Sequence, residues 1–336
     1  MQSNYFKLST ETQREILNGA QSKLNVRNII LEKDIWICWF LNELFFLPKT
    51  MSFKGGTSLS KVFGLIKRFS EDLDITIDYR NFSEFDHLDN NSSKSALKKL
   101  SAELKNNTKN YVENFIVPHF KERLATAFPD ALFKIDLGKD GEHLRIFYPT
   151  LFNQEEHYLQ NSVLLEFGGR NTTEPSETHF IETILSQATR DLELPAARIK
   201  VLSPLRTFWE KATLIHVECS RGRLQESPDR LFRHWYDLAM LAQSWVGSQA
   251  LENRELLKDV VLHKTAFFNS NYANYDQCIN GNFLLIPTEN ELRELKKDFD
   301  KMQGSGMFPE EPLEFNEIIE TLRALEQSLK KQCVNL

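Results

Sequence analysis

Residues 53–79 read FKGGTSLSKVFGLIKRFSEDLDITIDY, and the rest of the chain is understood through this stretch. It has three parts. A turn, Lys54-Gly55-Gly56-Thr57-Ser58, comes first. Leu59, Val62, Phe63 and Ile66 then recur at the 3–4 spacing of one helix face, which predicts a helix from Leu59 to about Lys67. From Asp72 to Asp78 polar and apolar residues alternate, the pattern of a half-buried strand.

These parts suit metal-assisted phosphoryl transfer. Alternation puts Asp72 and Asp74 on one strand face, about 6–7 Å apart along the chain. Two carboxylates there suit Mg²⁺ (or Mn²⁺), a hard ion that keeps substrate phosphate among its oxygen ligands. Two such ions can clamp the attacking and leaving oxygens of an in-line displacement. The glycine pair lets backbone approach a phosphate closely. The N-terminus of the following helix supplies free N–H groups and the positive end of a dipole. An ordinary turn and an exposed strand face would explain either motif alone; the ordered set is far more specific. A P-loop is excluded, because Lys54 precedes the glycines instead of following them.

KGGTSLSK followed by RFSEDLD resembles the nucleotidyltransferase superfamily and, within it, the AbiEii-type toxins of abortive-infection and toxin–antitoxin systems. The resemblance is expected to span about residues 30–270. It implies an α+β fold: N-terminal helices over 1–50, a small mixed-sheet catalytic core over 51–180, and a mainly helical region over 181–336. It implies an NTP substrate held by Lys54, Gly55, Gly56, Thr57, Ser58, Ser70 and a later lysine. It also implies transfer to an RNA acceptor, the 3′ end of tRNA, with translation blocked. A cognate antitoxin is implied too, often a winged-helix repressor that need not bind the toxin. Transfer onto a protein hydroxyl, or a catalytically inactive binding module, are the other readings; the intact aspartate pair argues against the last.

Glu166 stands in the apolar run SVLLEF (162–167), and a carboxylate there is costly unless paired or bound to metal. By the resemblance it is the third metal ligand beside Asp72 and Asp74. Asp136 competes for that role, and an ion pair of Glu166 with Arg145 or Arg170 is the structural alternative. Ser203-Pro204 starts a helix to about Cys219, with a core stripe through Phe208, Ala212 and Ile215. The resemblance assigns Lys211 on that helix to the nucleotide phosphates. It gives Asp237, in a helix over about 228–244, an active-site role, orienting Lys211 or acting as general base. A local i, i+4 pair of Asp237 with Arg233 is the alternative. His216 reads as structural. These pieces are expected to meet in one cleft.

Elsewhere helices are expected at about 10–24, 31–46, 96–114, 117–127, 250–264, 288–302 and 316–332. Strands are expected at 131–137, 143–148 and 199–202, the first two joined at Asp140-Gly141. Glu32-Lys33-Asp34 resembles the family segment before the glycine motif, and it reads as the charged first turn of a buried helix in preference to a direct catalytic role. Loops are expected at 81–95 and 168–178, while 180–188 suits helix or strand and 265–286 is ambiguous.

The chain has 41 Lys and Arg against 47 Asp and Glu, a net charge of −6, so it is not a generally basic nucleic-acid binder. A local surplus lies at 190–233, with nine basic against six acidic residues. There Arg221, Arg223 and Arg230 are candidate RNA phosphate contacts. No apolar run reaches membrane-spanning length and no N-terminal signal is visible. Cys38, Cys219, Cys278 and Cys333 lack metal spacing, which speaks against zinc and for a reduced, cytoplasmic protein.

Overall fold

The computed structural model describes residues 3–82, 93–152, 160–224, 230–305 and 307–334, with side chains to 331. Parts of the expected 81–95 loop, the start of the expected 228–244 helix and the Cys333 side chain lie outside them. The chain divides into two compact units. One comprises Met1–Val62, Ser70–Glu84 and Glu103–Val201; the other comprises Phe63–Phe69, Phe85–Ala102 and Leu202–Leu336.

The first unit opens with β1 (Ser3–Asn4), α1 (Thr10–Leu24) and α2 (Asn28–Leu44). Ser9 caps α1, its Oγ accepting from Thr12 N, and Asn25 ends it in the left-handed conformation. α2 is buried nearly all round. Its Trp36 stacks on Tyr148, with ring centroids 5.4 Å apart. β2 (Met51–Lys54), α3 (Gly55–Lys61) and β3 (Leu73–Asp78) follow.

α4 (Lys94–Tyr111) contributes its residues from Glu103 onward to this unit, and a π-helical turn at Val112–Ile116 joins it to α5 (Val117–Ala127). β4 (Lys134–Leu137), β5 (His143–Phe147), β6 (Ser162–Asn171), β7 (Ser176–Glu182), β8 (Leu192–Glu193) and β9 (Ala196–Leu202) complete the strands. β1 and β8 pair alone; the others form a mixed sheet in the order β4-β5-β6-β3-β2-β9-β7.

The sheet brings the sequence-distant acids into register. β3 pairs antiparallel with β2, so Lys54 faces Asp74. On its other side β3 pairs parallel with β6, and Asp74 faces Glu166. β5 then sets His143 against Glu166. Leu73, Ile75 and Ile77 are buried as the alternation expects, as are Val163, Leu165 and Phe167, but Thr76 and Asp78 are buried too, so β3 is covered on more than the one face expected.

Three boundaries differ from expectation. The expected helix Leu59–Lys67 is replaced by α3, so the glycine motif is the helix's first turn instead of a turn before it. Ser58 Oγ donates to Gly55 O at 2.9 Å within that turn, and Gly64, at φ +60°, lies in the irregular segment beyond it. β3 starts at Leu73, leaving Asp72 in the segment that leads into it. β6 runs on through Gly168 and Gly169, which read as a loop. Gly168 stays paired with Thr76, and a Cβ on Gly169 would lie 1.9 Å from Thr108 Oγ1.

The second unit is helical: α6 (Pro204–Ser220), α7 (Arg233–Ala242), α8 (Trp245–Glu252), α9 (Arg254–Phe267), α10 (Tyr275–Ile279), α11 (Glu289–Gly304) and α12 (Phe315–Val334). Ser203 caps α6 and a Thr288–Glu291 capping box opens α11. The single helix expected at 250–264 is interrupted at Asn253, whose Oδ1 accepts from Leu256 N to start α9. α6 is buried on more than one face, with Trp209 and Ala212 fully enclosed. His216 uses both ring nitrogens, near Asn274 O and Leu284 N, in line with a structural role.

Candidate active site

In the first unit the site is built around Asp74. Gly55, at φ +77°, lies so close that a Cβ would stand 1.8 Å from Asp74 Oδ2. Only glycine allows that backbone path and that approach. Thr57 Oγ1 lies 2.5 Å from the Asp72 carbonyl and 3.0 Å from Ser70 Oγ. The Thr57 and Ser58 hydroxyls therefore hold the peptides around Asp72 and Gly55 in place. α3 has only seven residues, so its free N–H groups matter more here than a long macrodipole.

Glu166 is the perturbed group. Burial pushes its carboxyl up, and the charge and hydrogen bond of Asp74 and the charge of Asp72 push it further, to about 7. The ion pairs considered for it go elsewhere: Arg145 donates to Gln160 and Ser162, and Arg170 lies 3.7 Å from Glu142. His143 is its neighbour instead, with Nε2 3.5 Å from Glu166 Oε1 and Nδ1 2.6 Å from Asp140 Oδ2. Asp136 sits on edge strand β4, facing Arg145 and bridged to Lys134 at 2.6 Å, with β5 and β6 between it and the strand of Asp74.

Crowded carboxylates of this kind fit a divalent cation, whose charge would relieve the repulsion that lifts Glu166. Among the described residues no three His, Cys, Asp or Glu side chains form a metal-ligand cluster. Water and substrate phosphate would therefore have to complete the coordination, as Mg²⁺ sites commonly require.

Three buried charges in α2 brace this region. Glu32 accepts from Thr150 Oγ1 and Leu151 N, both at 2.7 Å. Lys33 bridges to Glu71, the neighbour of Asp72, and donates to Gln160 O at 3.1 Å. Asp34 bridges to Lys61 at the end of α3, at 2.5 Å, and accepts from Ile184 N at 2.6 Å. Burial lowers the Lys33 ammonium's pKa, against the pull of Glu71.

In the second unit Lys211 and Asp237 come together. Lys211 Nζ is 2.8 Å from Asp237 Oδ2. Arg233, the local alternative, gives way to a distant residue: the arginine that binds Asp237 is Arg68. Its Nε donates to Oδ1 at 2.7 Å and its Nη2 to Oδ2 at 2.8 Å. Burial alone would raise the Asp237 carboxyl; the two cations outweigh it and hold the group well below the usual range. Burial also lowers Lys211, whose shift Asp237 opposes.

The structure thus places Asp72, Asp74, Glu166 and the glycine motif in one unit and Lys211 and Asp237 in the other. The family model for the nucleotidyl transferase AbiEii toxins of type IV toxin–antitoxin systems matches residues 39–325. The chain belongs to this family. It is a nucleotidyltransferase, and membership implies an NTP substrate and an antitoxin partner. The match runs past residue 270, so most of the C-terminal helices belong to the family too, beyond the span expected from the motifs.

No curated protein sequence matches the chain. Among solved structures it is similar to MenT4, a nucleotidyltransferase toxin from Mycobacterium tuberculosis H37Rv. The identity is 16%, the TM-score 0.45, and the alignment covers 96% of this chain and 98% of that one. It is also similar to an H. pylori protein assigned as a nucleotidyltransferase, at 16% identity and TM-score 0.43, over 90% and 94% of the two chains.

In this AbiEii chain the three candidate RNA-contacting arginines differ. Arg221 is 2.9 Å from Glu218 and lies 5.3 Å over the Tyr272 ring. Arg223 is exposed. Arg230 has φ +58°, and its N–H donates to Asp298 at 2.8 Å. No helix among the described residues is long and apolar enough to cross a membrane, and Cys38, Cys219 and Cys278 are free thiols.

Sequence reasoning missed Arg68 as the partner of Asp237, His143 as the neighbour of Glu166 and Lys33 as the partner of Glu71. Arg68 was present in the quoted RFSEDLD motif. The signal that could have found it is a buried aspartate on a later helix needing a partner with more reach than i, i+4.

Proposed function

We propose that this toxin transfers a nucleoside monophosphate from an NTP to the 3′ end of a tRNA in the cytoplasm, the terminal hydroxyl attacking the α-phosphate as pyrophosphate leaves, and so blocks translation. The observation that carries the reading is Asp74, set directly opposite Glu166 with the Gly55 backbone pressed against its carboxylate.

Asp72, Asp74 and Glu166 would hold Mg²⁺ (or Mn²⁺), which when bound supplies positive charge at the reacting phosphate. Lys54, the backbone of Gly55 and Gly56, and Lys211 bind the triphosphate. Thr57, Ser58 and Ser70 shape that loop. Asp237 orients Lys211; its strongly held negative charge suits an orienting role better than proton uptake. Positioning and electrostatics supply most of the rate in such a transfer. Arg221, Arg223 and Arg230 supply phosphate contacts that position the RNA without reading its sequence. On a chain of net charge −6 these favour recognition of RNA shape over non-specific binding.

The test incubates each labelled NTP in turn with purified tRNA and wild-type or Asp74→Ala protein. RNase-sensitive label with wild type and none with Asp74→Ala is expected. Label in cell extract that resists RNase and is lost to protease would identify a protein acceptor instead. No labelled RNA with any NTP would overturn the proposal.

A further inference from the structure

Lys211 carries its ammonium on a flexible stem with a compact point charge, and one carboxylate oxygen does not fix its direction. Asp237, by contrast, is fixed in plane. The Arg68 guanidinium meets both of its oxygens as a fork, at 2.7 and 2.8 Å, and Lys211 leans on the oxygen shared with Arg68 Nη2. Arg68 is itself held: its Nη1 donates to Phe69 O at 3.2 Å, and Phe69 N donates to Met307 O at 2.6 Å. The Arg68 and Asp237 side chains are 3% and 0% exposed, so water does not compete for the fork.

We propose that Arg68 is a positioning residue for nucleotidyl transfer: through its fork on Asp237 it fixes where Lys211 Nζ presents its remaining donors to the triphosphate. The chain Arg68–Asp237–Lys211 is one hydrogen-bonded unit, and a planar fork is the part of it that defines an orientation. Lysine at position 68 would keep the charge and lose the plane. The inference rests on the reading that Lys211 contacts the substrate phosphates.

Inorganic tripolyphosphate, which removes the question of base choice, serves as the probe. Its affinity is measured by calorimetry for wild type, Arg68→Lys, Lys211→Ala and the double variant. The midpoint of thermal unfolding of each is recorded, and kcat and KM are measured with the NTP that labels RNA. Arg68→Lys is expected to weaken tripolyphosphate about tenfold while still unfolding cooperatively. Lys211→Ala is expected to weaken it more, and the double variant no further than Lys211→Ala alone, because Arg68 acts through Lys211.

Multiplying effects in the double variant would overturn the proposal. So would an Arg68→Lys protein with a lowered melting point but unchanged affinity, kcat and KM, since that is a purely structural pair. If Lys211→Ala binds tripolyphosphate as wild type does, the underlying reading of Lys211 fails, and the inference with it. Should Arg68→Lys not fold, Asp237→Asn replaces it in the same cycle. That variant removes the fork's acceptor charge at constant shape and carries the same expectation.

Discussion

The two charged clusters of this chain are built on opposite plans. In the first unit Asp74 and Glu166 are set face to face by strand register, with Asp72 close enough in charge to act on Glu166. Like charges are forced together there, and Glu166 responds by holding a proton up to about pH 7. In the second unit Arg68 and Lys211 converge on one carboxylate, and Asp237 responds by staying ionised. The first cluster is strained as it stands; the second is satisfied from within. Changes in the first should therefore cost activity and spare stability, whereas changes in the second should cost both.

The largest expected effect is on the first cluster's chemistry. Asp74→Ala should lower nucleotidyl transfer by a factor on the order of 10³ or more, with the melting temperature unchanged or raised. A clear loss of stability in a calorimetric scan would break the contrast between the units.

Next comes Asp237→Ala, which leaves Arg68 and Lys211 buried without their carboxylate. Loss of one partner from a buried ion pair costs about 3–5 kcal/mol, measurable by urea unfolding. A cost under about 1 kcal/mol would mean that the second cluster is far better solvated than its burial implies.

Glu166→Gln sharpens the comparison through pH. Folded Glu166 titrates near 7 against 4.5 for the ordinary group, so between those values the folded state binds more protons than the unfolded chain. Metal-free stability attributable to this group then falls as pH rises through the window. With its side chain 32% exposed, screening reduces the full linkage value, and a penalty of about 1–2 kcal/mol at pH 8 remains. Glu166→Gln should be more stable than wild type at pH 8, nearly equal at pH 4.5, and inactive. Parallel stability curves for the two proteins across that range would remove the strain from the account.

The smallest effect concerns the arginines of the second unit. Arg223→Ala should weaken RNA binding roughly two- to fivefold and reduce the salt slope of affinity by about one. Arg221→Ala should do less, since its guanidinium already has Glu218 and Tyr272.

What was legible in the sequence follows from how local each cause is. The strand carrying Asp74 was plain, because alternation of Leu73, Ile75 and Ile77 is a short-range pattern with one interpretation. The β4–β5 hairpin was equally plain from Asp140-Gly141, since the turn chemistry sits in two adjacent residues. Glycine propensity argued against starting a helix at Gly55, and the Ser58 bond and tertiary burial overrode it. The Arg68 fork was hidden because its acceptor lies 169 residues away, while a plausible local partner, Arg233, stood one turn from Asp237. The roles of Lys33 and Asp34 were hidden for the same reason, since each charge is satisfied by a segment from another part of the chain.

Those charges in α2 bear on how the toxin is made. Glu32, Lys33 and Asp34 emerge from the ribosome early, yet their partners follow 27 to 150 residues later, Lys61 first and Ile184 last. Until then, burying α2 would leave carboxylates and an ammonium unmatched in an apolar setting. A translation product that stops short of residue 150 has α3 and Glu71 but lacks every hydrogen-bond partner named for Glu32 and the second partners of Lys33 and Asp34. The last of these partners, Ile184, comes from beyond β7, so α2 is fully matched only after most of the sheet has been made.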